Sequence, residues 1–524
     1  MKSVLLYEKH LATKLLLDTF KDFAATEEPV LNCNLLLRWG NVNGNEKNTI
    51  TVLNRKIPLK NCLDKANIFE ILRLNRIRRP RMVVPRPDST YPLLGKHFDA
   101  AKDTGREILV SDFSEVYGAK ADFFVEYINI VKKYNVYLFD STIYLLTKKV
   151  PVKTNTSVGR PAPSWDYEEI PTDLDQDTSK VSLLCKRAIH VLGLDFGMVH
   201  AGIDTMGRAV ILDVTPVPPL TPKVASLLYN EVCSFIERLG ETHAKSTPTQ
   251  PPGSIPGNNQ KTPVLLGADP EFMLRDAKTG EIVYPSNYIN KEGSLGYDER
   301  SENREGLLYP LAEVRPEPDY CPVALTEKIR KILTIAMSII PPHIEWLAGS
   351  VHFDRYQIGG HIHFSSIKIN SRLLRALDNY LGIPTMLVED PVSSVRRRKH
   401  YGWLGSVRCK PHGGFEYRTP ASWLVSPELT TACLCLAKIV ATEYYLLPRD
   451  YFTSIELQKA FYQGKKHYFY DIFNELWADL SKTSLFNQYL EYLIPLTDLI
   501  KTRAHWNEEV DLRITWKLKS KLNL

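Results

Sequence analysis

The chain lacks several features that would narrow its class at once. Its eight cysteines form no Cys-x-x-Cys pair, and Cys433 and Cys435 sit in an apolar stretch where small buried thiols are common. This usage suits a reducing, cytoplasmic compartment. No apolar run approaches membrane-spanning length, so no membrane partner is expected. The first ten residues, Met-Lys-Ser-Val-Leu-Leu-Tyr-Glu-Lys-His, carry charges too early for a secretory signal. No strong charge bias is present: the net charge of +6 tolerates anionic substrates but does not argue for nucleic acid. No internal repeat is visible. The one local basic run, Arg396 to His400, reads either as a solvated surface loop or as a phosphate-facing segment.

What is present describes a globular protein, with 44% hydrophobic and 24% charged residues. A chain of 524 residues exceeds one ordinary core, so several domains are expected. The clearest boundary is 241–263, rich in Pro, Gly, Thr, Asn and Gln, which reads as a flexible linker. A polar stretch at about 151–180 reads as a loop insertion in a first domain of 1–240. In that domain strand-like runs (Asn34–Trp39, Ile50–Leu53, Phe123–Ile128, Val136–Phe139, Thr142–Leu146, Val210–Val214) alternate with helical ones (Lys65–Leu74, Ala225–Leu239). A second domain, 264–450, begins with strands and adds amphipathic helices at Val323–Ile339, Ser371–Leu381 and Pro427–Tyr445. Residues 451–524 read as a helical, aromatic-rich appendage. The expected class is α+β throughout.

Four charged clusters stand out in the second domain: Gly-Ala-Asp-Pro-Glu-Phe (Gly267–Phe272), Ala-Glu-Val-Arg-Pro (Ala312–Pro316), Gly-Gly-His-Ile-His-Phe (Gly359–Phe364) and Phe-Glu-Tyr-Arg-Thr-Pro (Phe415–Pro420). Each places charged or imidazole side chains two apart, hence on one face of a strand. Faces this polar cannot pack as an ordinary core. The glycines before His361 leave room for something bulky, such as a nucleotide phosphate, to approach the backbone. Alone, each cluster has an ordinary reading: a structural His-x-His, a surface ion pair, a turn. Four together, in this order, read as the floor of a metal and nucleotide site.

Joining a carboxylate to an amine needs such a floor. Carboxylate is a poor electrophile until ATP converts it to an acyl phosphate, a step that uses divalent metal and arginines to manage moving charge. Asp269 and Glu271 could hold one metal ion, and Glu313 could join it or serve a second. Glu416 is a further candidate ligand, and His361 or His363 could ligate metal or contact phosphate. Arg315, Arg408 and Arg418 could clamp phosphates or the substrate carboxylate.

On these residues, about Val264 to Tyr445 resembles the carboxylate–amine ligases of the glutamine synthetase and glutamate–cysteine ligase superfamily. It is most similar to the phage-type group called COOH–NH2 ligase type 2, or amidoligases. The resemblance implies an antiparallel sheet with its charged strands on a concave face. It implies ATP with Mg2+ (Mn2+ is possible), and metal ligation by Asp269, Glu271, Glu313 and Glu416. His361 and His363 would bind nucleotide phosphate or metal, and Arg408 and Arg418 phosphate or substrate. The partners implied are a small carboxylate and amine, or a peptide or protein tail.

The first half resembles a second ligase scaffold, the ATP-grasp fold, over about Leu35 to Pro219. Lys96 after Tyr91-Pro-Leu-Leu-Gly, the loop at Asp103-Thr104-Gly105, Glu126-Tyr127-Ile128, and Ile211-Leu-Asp-Val-Thr-Pro216 carry that resemblance. It implies Lys96 on phosphate, Glu126 and Ile128 at an adenine-binding hinge, and Asp213 on magnesium. Two departures stand against it: Thr215 replaces the usual closing Asn, and His200 falls where an acidic metal ligand is normal. The leading expectation is therefore an ATP-dependent amidoligase. The alternatives are a guanidino-kinase-like phosphotransferase, or a non-catalytic nucleotide-binding module in the first half.

Overall fold

A computed structural model describes residues 3–11, 13–28, 33–40, 42, 51–99, 104–151, 165–244, 263–298, 308–411 and 413–518. Most of the expected linker (245–262), part of the expected insertion (152–164) and Asp103 lie outside the described residues. The chain divides into two compact units, Met1–Thr249 and Gln250–Leu524.

The N-terminal unit mixes parallel and antiparallel sheets. A parallel sheet orders Ala24–Thr26, Ser3–Tyr7, Leu35–Trp39 and Thr51–Leu53, and the Leu35–Trp39 strand is buried on both faces. A four-stranded antiparallel sheet orders Met82–Val83, Phe123–Glu126, Leu93–Asp99 and Thr104–Val110. A five-stranded antiparallel sheet orders Trp165–Glu169, Thr142–Pro151, Ile130–Phe139, Phe196–Asp204 and Ala209–Thr215. Residues 165–180, expected as loop, instead form the edge strand Trp165–Glu169 and the start of helix Gln176–Val191, which Asp175 caps through Thr178 N. Asp166, Tyr167, Glu168 and Glu169 are exposed on this edge strand, so its composition imitates a loop.

The C-terminal unit is built on one antiparallel sheet. Its main path runs Leu295–Tyr297, Ala312–Val314, Leu265–Asp276, Gly360–Ser365, Phe415–Tyr417 and Val407–Cys409. The long strand Leu265–Asp276 sits centrally because it is buried almost throughout. It also pairs Ile344–Leu347 near its far end. Alternation assigns the faces. Phe272 meets Trp346 (ring centroids 5.7 Å apart) and Phe364 stacks on Phe415 (5.1 Å) on the apolar side, which leaves the charged residues for the other. Helix Pro427–Glu443, started by Pro427 and capped by Ser426, is buried along its length. With the turn that follows (Pro427–Leu446) it is long and apolar enough to cross a membrane, yet 78% of its apolar window is buried inside the protein. The helices after 450, expected as an appendage, supply core side chains to this unit. Trp516 Nε1 donates to Leu424 O at 2.7 Å, and Tyr462 accepts from Leu404 N at 3.1 Å.

Candidate active site on the C-terminal sheet

Strand register brings the four clusters together. Asp269 lies opposite His361, Glu271 opposite Glu313, His363 opposite Glu416, and Arg408 opposite Glu416. All four carboxyl groups and His361 are buried, Glu416 completely. Asp269 Oδ1 stands 3.2 Å from His361 Nδ1 and 3.0 Å from His363 Nε2, and Glu416 Oε1 lies 3.3 Å from His361 Nδ1. None of these four atoms is aligned in a hydrogen bond. Polar atoms therefore converge without the aligned hydrogen bonds that burial normally demands. Two groups of side chains are poised to share an ion: Asp269, Glu313 and His361, and Asp269, His363 and Glu416.

The electrostatics carry the same tension. Burial opposes ionisation of Asp269, yet His361 and His363 outweigh it and hold the carboxyl well below its usual range. Burial, then the charge of Asp269, pushes Glu313 up to about 8, against the pull of Arg315. Two acids in one dry pocket cannot both ionise cheaply unless a cation sits between them.

The arginines divide by duty. Arg315 is committed inward: its Nε holds Glu313 at 2.8 Å, and its other nitrogens donate to Lys291 O and Tyr297 O at 2.7 and 3.2 Å. Arg418 Nε lies 2.9 Å from Glu416 and its guanidinium covers the Tyr401 ring at 4.9 Å. Arg408 is half-exposed and touches Glu416 only at 3.4 Å. Glu271 accepts from Gly359 N at 2.7 Å.

Sequence reasoning missed two residues. Lys410 Nζ stands 2.8 Å from Glu416 Oε2. The spacing Arg408-x-Lys410 repeats the two-residue rule and would have found it. Asp378, from an apolar helical stretch that winds as a π-helix over Leu377–Gly382, accepts from Tyr417 Oη at 2.8 Å and Gly405 N at 2.9 Å. It thereby pins the residue between Glu416 and Arg418, and π-turns often mark such places.

Two expectations are corrected. The basic run is split: Arg396, Lys399 and His400 are exposed, while Arg397 and Arg398 at the end of helix Ser393–Arg398 are buried. Arg397 donates to the carbonyls of Ile358, Thr419 and Pro420, and Arg398 pairs with Glu389. Buried carbonyls at strand ends demand such donors. Nor do Gly359 and Gly360 leave room for a ligand: a Cβ would strike His361 Nε2 at the first and the Trp423 ring at the second, so close packing requires glycine.

In the N-terminal unit, Asp213 lies opposite His200 across the Phe196–Asp204 and Ala209–Thr215 strands. Its Oδ1 is 2.8 Å from Lys65 Nζ and accepts from Val214 N at 2.8 Å. Burial lowers the His200 pKa, against the charge of Asp213 and with help from Lys65 and Lys96. Lys96 Nζ donates to Leu212 O at 3.2 Å and pairs with Glu107 at 3.1 Å. Glu126 ends its strand 3.7 Å from Arg81, and Ile128 lies in the short connection to the Ile130–Phe139 strand. Among the described residues no metal-ready group includes Asp213.

No curated protein matches this sequence. Among solved structures, D-alanine–D-alanine ligase from Bacillus anthracis is 14% identical, covering 46% of this chain and 98% of that one, with a TM-score of 0.33. The ATP-grasp ligase PsnB with a minimal precursor is 11% identical, covering 45% and 99%, with a TM-score of 0.34. VanG D-Ala:D-Ser ligase from Enterococcus faecalis is 15% identical, covering 36% and 65%, with a TM-score of 0.28. The Bacillus enzyme also occurs in complex with ATP, and PsnB with Mg and ADP. These superpositions are too loose to assign residues here. Residues 266–518 match the family described as phage phiEco32-like COOH.NH2 ligase-type 2. Over that span the chain carries a domain of this family, one of ATP-dependent carboxylate–amine ligases.

Proposed function

We propose that the C-terminal sheet joins a carboxylate to an amine through an acyl phosphate. A carboxylate oxygen takes the γ-phosphoryl group of ATP as the bond to the β-phosphate oxygen breaks, and ADP leaves. The amine nitrogen then bonds the acyl carbon, the carbon–oxygen bond to phosphate breaks, and the nitrogen loses a proton. The observation that carries this reading is the convergence of Asp269, His361, His363 and Glu416, whose facing buried atoms make no aligned hydrogen bond.

These residues fit divalent cations. Asp269, His363 and Glu416 would hold one, and Asp269, Glu313 and His361 a second. Bound there, such ions would neutralise phosphate oxygens during transfer. The imidazoles favour Mn2+ as an alternative to Mg2+. The floor already sets Arg315 against Glu313, and Arg408, Lys410 and Arg418 against Glu416. Two divalent ions would then give it the positive charge a triphosphate needs. Arg408, half-exposed, is the residue we assign to the incoming phosphates, with Lys410 beside it and Arg418 behind. Glu271 would steady the Gly359 turn and complete the carboxylate wall.

For the N-terminal unit we propose an auxiliary, nucleotide- or substrate-binding role, with Lys96 on phosphate and Glu126 and Ile128 at the base. Lys65 stands where a magnesium ion would need Asp213, which disfavours a second ligase there. All eight cysteines are free, which supports a reducing compartment.

The test is release of ADP and phosphate by the pure protein with Mg2+ or Mn2+, ATP and pooled carboxylates and amines, with the product identified by mass. An amide supports the proposal. A stable phosphorylated nitrogen would favour phosphotransfer instead, and no turnover with any pool of amino acids, amines or peptides would count against both.

A further inference from the structure

Tyr401 belongs to none of the four charged clusters, yet it touches two members of the floor at once. Its hydroxyl stands 3.4 Å from His361 Nε2, and the two rings lie 5.9 Å apart, tilted by 40°. The guanidinium of Arg418 covers its ring at 4.9 Å, and that of Arg397 does so at 5.3 Å. The backbone fixes the ring as well, because Tyr401 N donates to Arg397 O at 2.7 Å just after helix Ser393–Arg398. Arg397 is in turn tied to the carbonyls of Ile358, Thr419 and Pro420. Ile358 precedes the strand of His361, and Thr419 follows the strand of Glu416, so one buried guanidinium sets the ring against both.

His361 turns its two nitrogens to opposite neighbours. Nδ1 stands 3.2 Å from Asp269 Oδ1 and 3.3 Å from Glu416 Oε1. Among the described residues the Tyr401 hydroxyl is the only polar partner of Nε2. Gly359 packs against that same nitrogen, so closely that a Cβ there would strike it. The ring is buried, so bulk solvent offers Nε2 no substitute.

A metal ion takes a lone pair, so a ligating imidazole carries its proton on the other nitrogen, and that N–H needs an acceptor when buried. An ion shared by Asp269, Glu313 and His361 lies on the acids' side of the ring, which makes Nδ1 the ligand and Nε2 the donor. We propose that Tyr401 is the positioning residue for this ligand. Its hydroxyl oxygen accepts the hydrogen bond from Nε2–H, fixes the tautomer of His361 and so presents the Nδ1 lone pair to the ion. The proposal rests on the metal-dependent ligase reading of the floor. The ring also backs Arg418, so one side chain aligns two groups that both contact Glu416. The opposite polarity has the opposite consequence: a hydroxyl donating to Nε2 would leave the proton on Nδ1, between two carboxylates, and close that position to metal.

The experiment is calorimetric titration of the full chain, wild type and Tyr401→Phe, with Mn2+ and separately with Mg2+, without ATP. Phenylalanine keeps the ring beneath both guanidiniums and removes only the oxygen, and thermal unfolding checks that the variant folds. Mn2+ affinity is expected to fall by about tenfold or more, the range for losing an outer partner of a metal-bound histidine. Mg2+, which prefers oxygen ligands, should lose less. A merely structural role would lower both alike. A second readout needs no Tyr401 variant: 15N spectra of the histidine-labelled wild type with Mg2+ should show His361, identified by its absence in His361→Gln, protonated on Nε2. Mn2+ binding unchanged or tighter in Tyr401→Phe, equal losses for the two ions, or a proton on Nδ1 would overturn the proposal and leave the metal site standing. A wild type that takes up neither ion would overturn both. Metal binding that falls as described while ATP stays intact would support the role of Tyr401 and count against the ligation alone.

Discussion

The two units each gather lysine, histidine and carboxylate on a sheet, and they resolve the charge in opposite ways. In the N-terminal unit Asp213 has a lysine at 2.8 Å and a backbone donor, and its neighbour His200 is held neutral. That cluster is complete as it stands. In the C-terminal unit Asp269, Glu313, Glu416 and two imidazoles crowd one another, and the facing atoms of Asp269, Glu416 and both imidazoles make no aligned hydrogen bond. A buried polar cluster left short of donors is unstable unless something else supplies positive charge. The same residue types therefore make a finished salt bridge in one place and, on our proposal, a ligand site in the other.

The sharpest way to break this contrast is to neutralise one acid in each unit. Glu416→Gln should lower ATP turnover by at least about a hundredfold, the scale already seen for outer-shell partners of a bound metal. Asp213→Asn should change it by less than about tenfold, since its charge serves a local pair. Turnover assays on both variants check this, and equal losses would erase the distinction.

Lys410→Met sharpens the comparison next. Removing a cation from Glu416 Oε2 should cut turnover by roughly ten- to a hundredfold, as for one lost electrostatic contact in the transition state. Metal affinity should stay level or rise, because the ligand loses a competing charge. A fall in metal affinity would assign Lys410 to structure alone.

Much of this centre was legible in the sequence because strands alternate. Charges two apart must share a face, so Asp269 with Glu271, and His361 with His363, were readable as a floor. Their partners across the sheet were not, since register depends on which strands pair. Arg397 and Arg398 misled because a run of like charges usually faces water, and only the tertiary fold brings the carbonyls of Ile358, Thr419 and Pro420 to them. Gly359 and Gly360 misled because the space beside a glycine is filled by distant residues, here the Trp423 ring for Gly360. Asp378 gave no local sign, because its work is done on Tyr417, thirty-nine residues away.

That last contact supplies a smaller test. Tyr417→Phe leaves Asp378 with one donor fewer and should cost about 1–3 kcal/mol of stability by chemical denaturation. Turnover should fall with it, because Glu416 and Arg418 flank the loosened residue. The smallest expected effect is in pH dependence. Burial lowers Lys466 from its ordinary 10.5 to about 8, with Glu389 opposing. Between those values the unfolded chain binds a proton that the folded chain has released, so stability rises with pH through this window. Lys466→Met should flatten that rise, and an unchanged slope in denaturation midpoints would assign it to other groups.

The most direct test of the account is calorimetric titration of Mn2+ into the wild-type chain, Glu416→Gln and Asp213→Asn. The account predicts binding by wild type and Asp213→Asn alike, and a loss of at least about tenfold in Glu416→Gln. Binding that survives Glu416→Gln but disappears in Asp213→Asn would contradict it and move the metal-dependent chemistry to the N-terminal unit.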